Sequence, residues 1–532
     1  MSFPSIFNDV LGPVMRGPSS SHCAASLRIG RICRDLMDGK IQTVMIQYDP
    51  NGSLATTHKS QGSDMGLFSG FLGWEAYDER LPNYLEGIEQ AGIDIDIRIE
   101  DIQADHPNTY KLTLFNDRET RELTALSTGG GMIEIIEIDG SPVSMAGDFF
   151  ETLVYVDNPE IPMAFLKDHA DYDEIIVSTG RTTFIQIRSQ QFLPEDTLAA
   201  LSQLKGVQGI KQLHPVLPVM SRKGLKVPFL TCADMLQYNQ DKQLALWELA
   251  LDYESARGNI TKAEVYERMR DLVNIMHTSI QSGLKGTKYK DRILGPQSLN
   301  FQKELDKGTL VQGDVLNRII LYVSAMMEVK SSMGVIVAAP TAGACGALPG
   351  AVLGAVSAMG LSEDHAIKAM LAAGLIGVFI CEHATFAAEV GGCQAECGSG
   401  SGMAAAAIVE LAGGDLPQAL SASSMALQNS LGMICDPIAN RVEAPCLGRN
   451  IMAASNALSC ANMALADYDA LIPLDQVIDT MDQVGKSIAH ELRCTGLGGL
   501  AISEASKAIE ARLNGETGEE NLAQASRRFK IC

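Results

Sequence analysis

Cysteines are the residues of this sequence whose type and spacing point most directly to chemistry. The stretch "GGCQAECGSGSGMAAAA" places Cys393 and Cys397 in a run of small residues. A structural zinc site typically needs a closely spaced pair such as C-x2-C and a matching second pair. The stretch has C-x3-C instead, and no second pair with that spacing occurs in the chain. The other cysteines must therefore explain the chemistry.

Two further cysteines, Cys435 and Cys446, flank the segment "CDPIANRVEAPC". The prolines within this segment are incompatible with a continuous helix, so we expect both thiols to lie on an irregular loop. The glycines before Cys393 predict a helix start, where the helix N-terminus favours a thiolate. Three such thiolates without a regularly spaced fourth suit an iron–sulfur cluster with one open iron. Buried structural cysteines are the alternative that the residues alone leave open.

Composition limits the class of protein. The chain has 532 residues, is 46% hydrophobic and only 5% aromatic, which favours close helix–helix approach over aromatic packing. Its formal charge of −22 argues against nucleic acid or an anionic membrane surface as a partner. The N-terminus shows no secretory signal, and the 12 cysteines lack small-domain disulfide spacing, so we expect a cytoplasmic protein. The long uncharged segment 331–362 contains Pro340 and Pro349, which predicts backbone buried in protein instead of a membrane span.

The pattern of the chain predicts an α+β protein in three parts. Residues 1–150 mix helix and strand: "TVMIQYDPNGSLA" predicts strand, turn and strand, and "IDIDIRIEDIQA" and "YKLTLFN" alternate as half-buried strands do. Residues 151–222 have a βαββαβ order, which is ferredoxin-like and resembles the ACT regulatory module. This part has a regulatory or oligomerising role or is a structural spacer. Residues 223–532 are predicted to be nearly all helical.

Polar residues of the first part are candidates for binding and proton transfer. In "GPSSSH", the serine hydroxyls and nearby backbone N–H groups can cradle a carboxylate, and an imidazole can transfer protons. An ordinary serine-rich helix cap is the alternative. The residues of this segment are Ser19, Ser20, Ser21 and His22. Further candidates are Lys59 and Asp64 of "HKSQGSD" and His106 and Asn108 of "DHPNT".

Several long motifs carry a resemblance to a known family. The segments "GGCQAECGSGSGMAAAAIVELAGG", "LGMICDPIANRVEAPCLGRNIMAASNAL", "APTAGACGALPG" and "GLGGLAIS" resemble the catalytic domain of the bacterial iron–sulfur L-serine dehydratases. The segments "RGPSSSHCAASLRIGR", "GSLATTHKSQGSD", "HPNT" and "STGGG" resemble the small domain of that family. The resemblance is colinear and covers nearly the whole chain. It implies a small domain at 1–150 and an all-α catalytic domain at 223–532.

The resemblance also implies a cofactor and a reaction. In the family three cysteines hold a [4Fe–4S] cluster, and they match Cys393, Cys435 and Cys446 here. Family members end at or next to a cysteine that enters the active site, which matches Cys532 as a fourth contact to iron. The open iron is a Lewis acid that eases loss of the β-hydroxyl from a hydroxy amino acid, giving a 2-oxo acid and ammonia without pyridoxal phosphate. Cys397 is interpreted as a packing residue.

The sequence departs from the family motifs around the substrate. A family histidine is replaced by Gln61, while His58 occurs three residues earlier; a Glu-His pair before the cluster ligand is lost at Gln428, and an acid is lost at Gly448. L-serine is thus the default substrate, and threonine, cysteine or a 3-hydroxy acidic amino acid remain alternatives. A non-catalytic sensor that keeps the cluster is a further alternative. The resemblance implies a homodimer or a higher homo-oligomer.

Overall fold

The computed structural model describes residues 3–289 and 292–514. They divide into two compact units. The first contains the residues up to Met15, Ser20–Leu230 and Leu251–Val265, and the second contains Arg16–Ser19, Thr231–Ala250 and the residues from Tyr266 onward. The predicted parts 1–150 and 151–222 thus fall almost wholly within one unit, and the three-domain division stays a prediction.

A six-stranded sheet forms the centre of the first unit. One strand pair is parallel, with Val44 opposite Ile95, and the other neighbours are antiparallel. Strand Thr43–Tyr48 alternates between half-buried and buried residues, as expected for a sheet with one face on the core. In spatial order the strands are Asp94–Ile99, Thr43–Tyr48, Thr109–Phe115, Thr120–Gly129, Met132–Ile138 and Ser141–Met145.

A second sheet of the same unit has four antiparallel strands. In spatial order they are Val207–Leu213, Phe150–Val156, Thr183–Ser189 and Glu174–Thr179. Two helices complete the predicted βαββαβ order: Glu160–His169, and Glu195–Ser202 with Pro194 as its N-cap. One face of the sheet packs in an apolar cluster with Leu166 and Leu201 of these helices. The element order is therefore as predicted, and its equivalence to an ACT module stays a prediction.

The remaining helices of the first unit are short. They are the π-helical turns Ile6–Val10 and Ser20–Ala24, the 3-10 turn Leu81–Asn83, and the α-helices Ala25–Leu36, Leu54–Thr57, Ser63–Phe71 and Tyr84–Ala91. One sequence prediction is wrong here. The residues after the turn at Asn51–Gly52 form helix Leu54–Thr57 and not a second strand, because the Thr57 hydroxyl bonds to the Ser53 carbonyl and Leu54 is buried.

The second unit is built almost entirely from helices, as the sequence predicts. Its helices, two of which begin or end in the first unit, are Cys232–Asn239, Leu246–Gly258, Lys262–Leu284, Gln297–Asp306, Asp314–Ser331, Ala347–Met359, Glu363–His383, Ala388–Gly391, Gln394–Gly398, Ser399–Leu411, Leu416–Gln428, Ile438–Asn440, Cys446–Leu465, Leu474–Ser487, His490–Leu492, Gly499–Ile502 and Glu504–Leu513.

Small residues let these helices approach closely. A Cβ added at Gly350 would lie 2.7 Å from the backbone nitrogen of Val323, and one at Gly354 would lie 2.8 Å from the Cα of Ile319. These contacts join helices Ala347–Met359 and Asp314–Ser331 with almost no space between the backbones. Close approach of helix backbones at glycine and alanine therefore fills this core, as the low aromatic content of the chain predicts.

The long uncharged segment is not a continuous helix. After helix Asp314–Ser331 the chain passes through an irregular, buried stretch before helix Ala347–Met359 begins. Within the described residues one helix, Glu363–His383, is long and apolar enough to cross a membrane by length and composition. Of its most apolar window, 78% is buried inside the protein, as in the core helix of a folded domain.

Candidate active site

Five cysteines of the second unit lie close together in its interior. Four of them pack in one apolar cluster with Ala344, Ala347, Ala388 and Ala453, and the fifth, Cys446, interacts electrostatically with Cys393. All are at most 7% exposed. We call them the thiol cluster: Cys393, Cys397, Cys435, Cys446 and Cys494. The three predicted cluster ligands are thus brought together, although no spacing rule requires it.

Backbone and side-chain contacts explain why Cys393 and Cys435 meet. Gly392 has a φ of +72°, and an added Cβ there would lie 2.8 Å from the carbonyl of Met433, so the position requires glycine. The Gln394 backbone N–H donates to the same carbonyl at 3.0 Å. Its side chain bridges Gly432 N–H and Met481 C=O at 2.8 and 2.7 Å. These bonds hold the turn that begins at Cys393 against Met433, which lies two residues before Cys435 in the chain.

Asn450 fixes the position of Cys446. Its Oδ1 accepts the backbone N–H groups of Gly346 and Ala347 at 3.1 and 2.8 Å. Its Nδ2 donates to the carbonyl of Cys446 at 2.9 Å and to that of Gly343 at 2.8 Å. Cys446 is the first residue of helix Cys446–Leu465, so the prediction that it lies on a loop is wrong. The reason is that Pro445 occupies the N-cap position of this helix and therefore ends the loop.

Two cations lie near the thiol cluster. Lys330 is fully buried, donates to the carbonyl of Val442, and acts to lower the pKa of Cys446. Arg449 forms an ion pair with Asp436. Burial acts to lower the pKa of Arg449, but Cys393 and Asp436 act more strongly in the opposite direction, so the pKa is raised. Burial dominates at the thiol itself and raises the pKa of Cys446 to about 12.

The motif glycines near these cations have a steric function. Asp436 also accepts the Leu500 N–H at 2.7 Å. A Cβ at Gly499 would lie 2.3 Å from its Oδ2, which explains the glycine of "GLGGL". Likewise, a Cβ at Gly343 would lie 2.9 Å from the buried carboxylate of Glu396, which accepts a hydrogen bond from the Thr341 hydroxyl.

The donor set of the thiol cluster fits an iron–sulfur cluster. Within residues 3–289 and 292–514, no three His, Cys, Asp or Glu side chains are arranged around the position of a single metal ion. In a [4Fe–4S] cluster each cysteine binds a different iron, so its ligands do not need to converge on one point. Cys393, Cys435 and Cys446 supply soft sulfur ligands among alanines and two cations, which suits such a group. Cys532, the predicted fourth contact, lies outside the described residues.

The first unit contains a polar cluster of four predicted residues and Thr57, which the sequence does not single out. We define it as His22, Thr57, His58, Asp64 and Asn108. His22 Nε2 lies 2.8 Å from the Thr57 hydroxyl. Burial, assisted by the neighbouring His58, lowers the pKa of His22 to about 3, so this imidazole is neutral near pH 7. His22 can therefore act there through hydrogen bonds but not as a cation.

His58 has a different environment. Its Nδ1 lies 2.8 and 3.0 Å from the two carboxylate oxygens of Asp64, and its ring packs against Tyr48 with centroids 5.3 Å apart. Because a carboxylate accepts, Nδ1 is the donor in this contact, and Nε2 remains for another partner. Its side chain is 21% exposed, so a small molecule can reach it. A histidine oriented by a carboxylate is the arrangement of a general base.

Asn108 is the most informative polar residue of this cluster. Its side chain is fully buried, and neither its Oδ1 nor its Nδ2 has a hydrogen-bond partner among the residues that the structure describes. The loop that carries it is held by a bond from Ser53 N–H to Pro107 C=O at 2.9 Å, beside the helical turn that bears Thr57 and His58. A buried amide with both groups unsatisfied is costly, which indicates a place for a polar ligand.

The other predicted residues of the first unit are placed as follows. Ser20 and Ser21 are buried in a π-helical turn that leads into helix Ala25–Leu36, and the Ser21 carbonyl accepts the Ser127 hydroxyl at 2.7 Å. His106 accepts the Asn108 N–H through Nδ1, and burial lowers the pKa of this imidazole. Lys59 is exposed. Ser19 is buried and groups with the second unit.

Sequence reasoning missed three residues of the second unit. Asn450 lies inside the motif "PCLGRN" and holds Cys446, but an asparagine inside a helix gives no signal by itself. Cys397 packs in the apolar cluster as the sequence predicts, but its side-chain hydrogen bond to Cys393 is not foreseen from sequence. Cys494 has no motif partner in sequence, and it reaches the thiol cluster because its N–H donates to the Cys435 carbonyl at 2.8 Å.

Comparisons with known proteins agree with this geometry. The family model described as serine dehydratase alpha chain matches residues 241–501. The chain is 35% identical over 287 residues to a probable L-serine dehydratase alpha chain of Bacillus subtilis, covering 54% of this chain and 96% of the relative. It is 34% identical over 217 residues to the probable beta chain of the same organism, covering 39% of this chain and 96% of the relative.

A third relative joins both parts in one chain. The protein named L-serine dehydratase 1 of Escherichia coli is 27% identical over 503 residues, covering 91% of this chain and 96% of that protein. Separate alpha and beta chains and a full-length relative thus match the sequence. The protein belongs to the L-serine dehydratase family.

Proposed function

We propose that this protein is a lyase that converts L-serine to pyruvate and ammonia. The observation that carries the proposal is the convergence of Cys393, Cys435 and Cys446 in one buried cluster, in a chain of this family. In the reaction a base removes the α-proton and the β-hydroxyl leaves as water, which gives 2-aminoacrylate. This enamine tautomerises to an imine, and addition of water to the imine releases ammonia and leaves pyruvate.

The three cysteines are proposed to hold a [4Fe–4S] cluster. With one iron free of these cysteines, the cluster would supply a Lewis acid for the β-hydroxyl. The chain itself keeps the three sulfurs among alanines, and Lys330 and Arg449 offset the negative charge of thiolate ligands. The terminal Cys532 is proposed as a displaceable fourth contact. A Cys532→Ala variant that keeps the parent's KM and cluster lifetime would remove that part of the proposal.

His58 is the proposed general base. Asp64 accepts a hydrogen bond from Nδ1 of His58 and so orients the ring, and Nε2 is the atom proposed to take a proton from the substrate α-carbon. Gln61 occupies the position of a family histidine. His58 lies about one helical turn before Gln61, and its Nδ1 is hydrogen-bonded to the carboxylate of Asp64. The substitution therefore relocates the imidazole and does not remove it.

Asn108 is the proposed binding residue for the polar groups of the amino acid. Its carbonyl can accept from an ammonium or amine, and its NH₂ can donate to a carboxylate. Ser20 and Ser21 at the adjoining helical turn, with their backbone N–H groups, are proposed to contribute to the carboxylate site. Neutral His22 fixes the Thr57 hydroxyl and so supports the turn that bears His58.

The test is steady-state assay of protein purified without air. Formation of pyruvate and ammonia in equal amounts from L-serine, with D-serine as the negative control, supports the proposal. L-threonine and L-cysteine in the same assay decide among the alternative substrates, because their products are 2-oxobutyrate and, for L-cysteine, pyruvate with sulfide. Cluster-loaded protein that binds L-serine but forms no 2-oxo acid would contradict the proposal and support the sensor alternative.

The βαββαβ part at 151–222 is proposed to bind an effector amino acid or to support a homo-oligomer. Its antiparallel four-stranded sheet with two helices supports the comparison with ACT modules. Deleting it is unsuitable as a test, because Leu153, Phe184 and Leu213 belong to the same core as the six-stranded sheet. Amino-acid binding to an Asn108→Leu variant is the better measurement. Remaining saturable binding supports a second site, and complete loss contradicts it.

A further inference from the structure

The thiol cluster contains two cysteines that the proposed cofactor does not use. Cys397 and Cys494 are 1% and 3% exposed and pack beside the proposed ligands. Each forms a side-chain hydrogen bond with a different ligand: Cys397 with Cys393, and Cys494 with Cys435. Two of the three proposed ligands, Cys393 and Cys435, therefore each have a second cysteine as a hydrogen-bond partner.

The direction of these bonds follows from the state of the proposed ligands. A cysteine binds iron as a thiolate, which has no proton and can only accept a hydrogen bond. The S–H group of the other cysteine in each pair is then the donor. The side-chain NH₂ of Asn450 also lies 3.6 Å from Cys397 Sγ, but its two protons already bond to the carbonyls of Gly343 and Cys446 at 2.8 and 2.9 Å.

The second pair is held by the backbone. Cys494 N–H donates to Cys435 C=O and Cys435 N–H donates to Leu492 C=O, both at 2.8 Å. Cys494 has a φ of +60°, a conformation that glycine adopts far more easily than cysteine does. The chain thus holds a thiol side chain beside the Cys435 sulfur at a position where the backbone alone would favour glycine.

We propose that Cys397 and Cys494 are positioning residues whose S–H groups donate hydrogen bonds to the cluster ligands Cys393 and Cys435. This inference rests on the proposed [4Fe–4S] cluster and deepens it. A donor to a ligand sulfur withdraws electron density from the iron, which favours the reduced cluster, and it orients the ligand, which slows loss of iron. Cys446 has electrostatic support from Lys330 and Arg449.

The test separates donation from packing and from ligation. Cys397→Ala and Cys494→Ala remove the donor, whereas Cys397→Ser and Cys494→Ser keep a hydroxyl donor of similar size. Cys460→Ala is the matched control, because Cys460 is a buried thiol of helix Cys446–Leu465 that bonds to Asn429 and Asn456. Iron and sulfide content, the reduction potential of the cluster and the rate of iron loss to a chelator are measured without air. Circular dichroism confirms folding.

The alanine variants are expected to keep the parent's iron and sulfide. Their reduction potential should move to a more negative value, and iron loss should be about 10-fold faster. The serine variants should recover most of both properties, and Cys460→Ala should match the parent. If both alanine variants keep the parent's reduction potential and rate of iron loss, the two thiols serve only as packing residues and the proposal is overturned. An iron deficit in Cys494→Ala would make it a ligand and overturn donation. A parent protein without iron would instead overturn the proposed function, and this inference with it.

Discussion

The thiol cluster of the second unit lies among alanines and is positioned by hydrogen bonds to backbone groups, several of which come from the side chains of Gln394 and Asn450. The polar cluster of the first unit is positioned by side chains that bond to one another, such as His58 to Asp64 and His22 to Thr57. In the first case, small residues would leave space for the proposed metal group. In the second case, hydrogen bonds orient each imidazole, and burial keeps His22 neutral near pH 7. The proposed ligand positions thus depend on packing, whereas the proposed acid–base roles depend on a few specific polar pairs.

The largest expected effect concerns the His58–Asp64 pair. His58→Gln should lower kcat/KM by about 100-fold or more, because general-base catalysis typically contributes factors of about 100 to 10,000. Iron content should stay at the parent value, which separates this effect from damage to the thiol cluster. His169→Gln is the control, since His169 is an exposed histidine of the same unit. A loss of less than about 10-fold in His58→Gln would remove His58 as the base.

Asn108 should show opposite effects on activity and stability. Asn108→Leu removes two unsatisfied buried groups, so the free energy of unfolding should stay equal or rise, while kcat/KM should fall about 10-fold or more. Asn116→Leu is the matched control: Asn116 Oδ1 accepts the N–H groups of Arg118 and Glu119 at 2.9 Å, so this change should destabilise and leave activity intact. Denaturation curves and steady-state kinetics check both. Marked destabilisation of Asn108→Leu would contradict a binding role.

Packing around the thiol cluster is tested by two glycines. Gly350→Ala should destabilise the protein by about 1–3 kcal/mol, because its Cβ would meet the backbone of Val323. Gly448→Ala should be neutral or stabilise by up to about 1 kcal/mol, since an added Cβ there would have no atom of the described residues outside its own helix backbone within 4 Å. Thermal unfolding of the two variants gives the comparison. Equal melting temperatures would show that the second unit tolerates expansion and that small residues are not required.

The smallest effect is a pH dependence from His22. The pKa of this imidazole is lowered to about 3 in the folded protein, against 6.5 when free. Between these values the unfolded state binds one more proton, so His22 costs stability as pH falls, by about 1.4 kcal/mol per pH unit. His22→Gln should therefore lose less stability than the parent between pH 6.5 and 5. Parallel stability curves for the two proteins would show that His22 is charged when folded.

Sequence alone predicts the two kinds of site to different extents. Cys393, Cys435 and Cys446 are predicted as ligands through the family resemblance, because their motifs match in order, and the alternating strands such as Thr43–Tyr48 follow directly from the period-2 pattern. Cys494 is not recognisable, because its approach to Cys435 depends on a backbone bridge between distant segments. The proposed binding role of Asn108 depends on buried polar atoms without a partner among the described residues, which only the three-dimensional structure reveals.

The position of Cys446 shows a further limit of sequence reasoning. Prolines at both sides of the segment 436–445 correctly predict a break, but they do not tell whether the next helix begins before or after the cysteine. In the structure Cys446 is already helical and its carbonyl bonds to Asn450 one turn later. Local propensity therefore gives the existence of the loop, and a tertiary contact determines its end.

Iron and sulfide analysis of the protein purified without air, beside Cys435→Ser and Cys460→Ser, tests whether the thiol cluster is the cofactor site. We expect about four iron and four sulfide per chain in the parent. Cys460→Ser should match the parent, and Cys435→Ser should lose most of its iron while staying folded. Full iron in Cys435→Ser, or a folded parent without iron after anaerobic reconstitution, would contradict the assignment of the thiol cluster as the cofactor site.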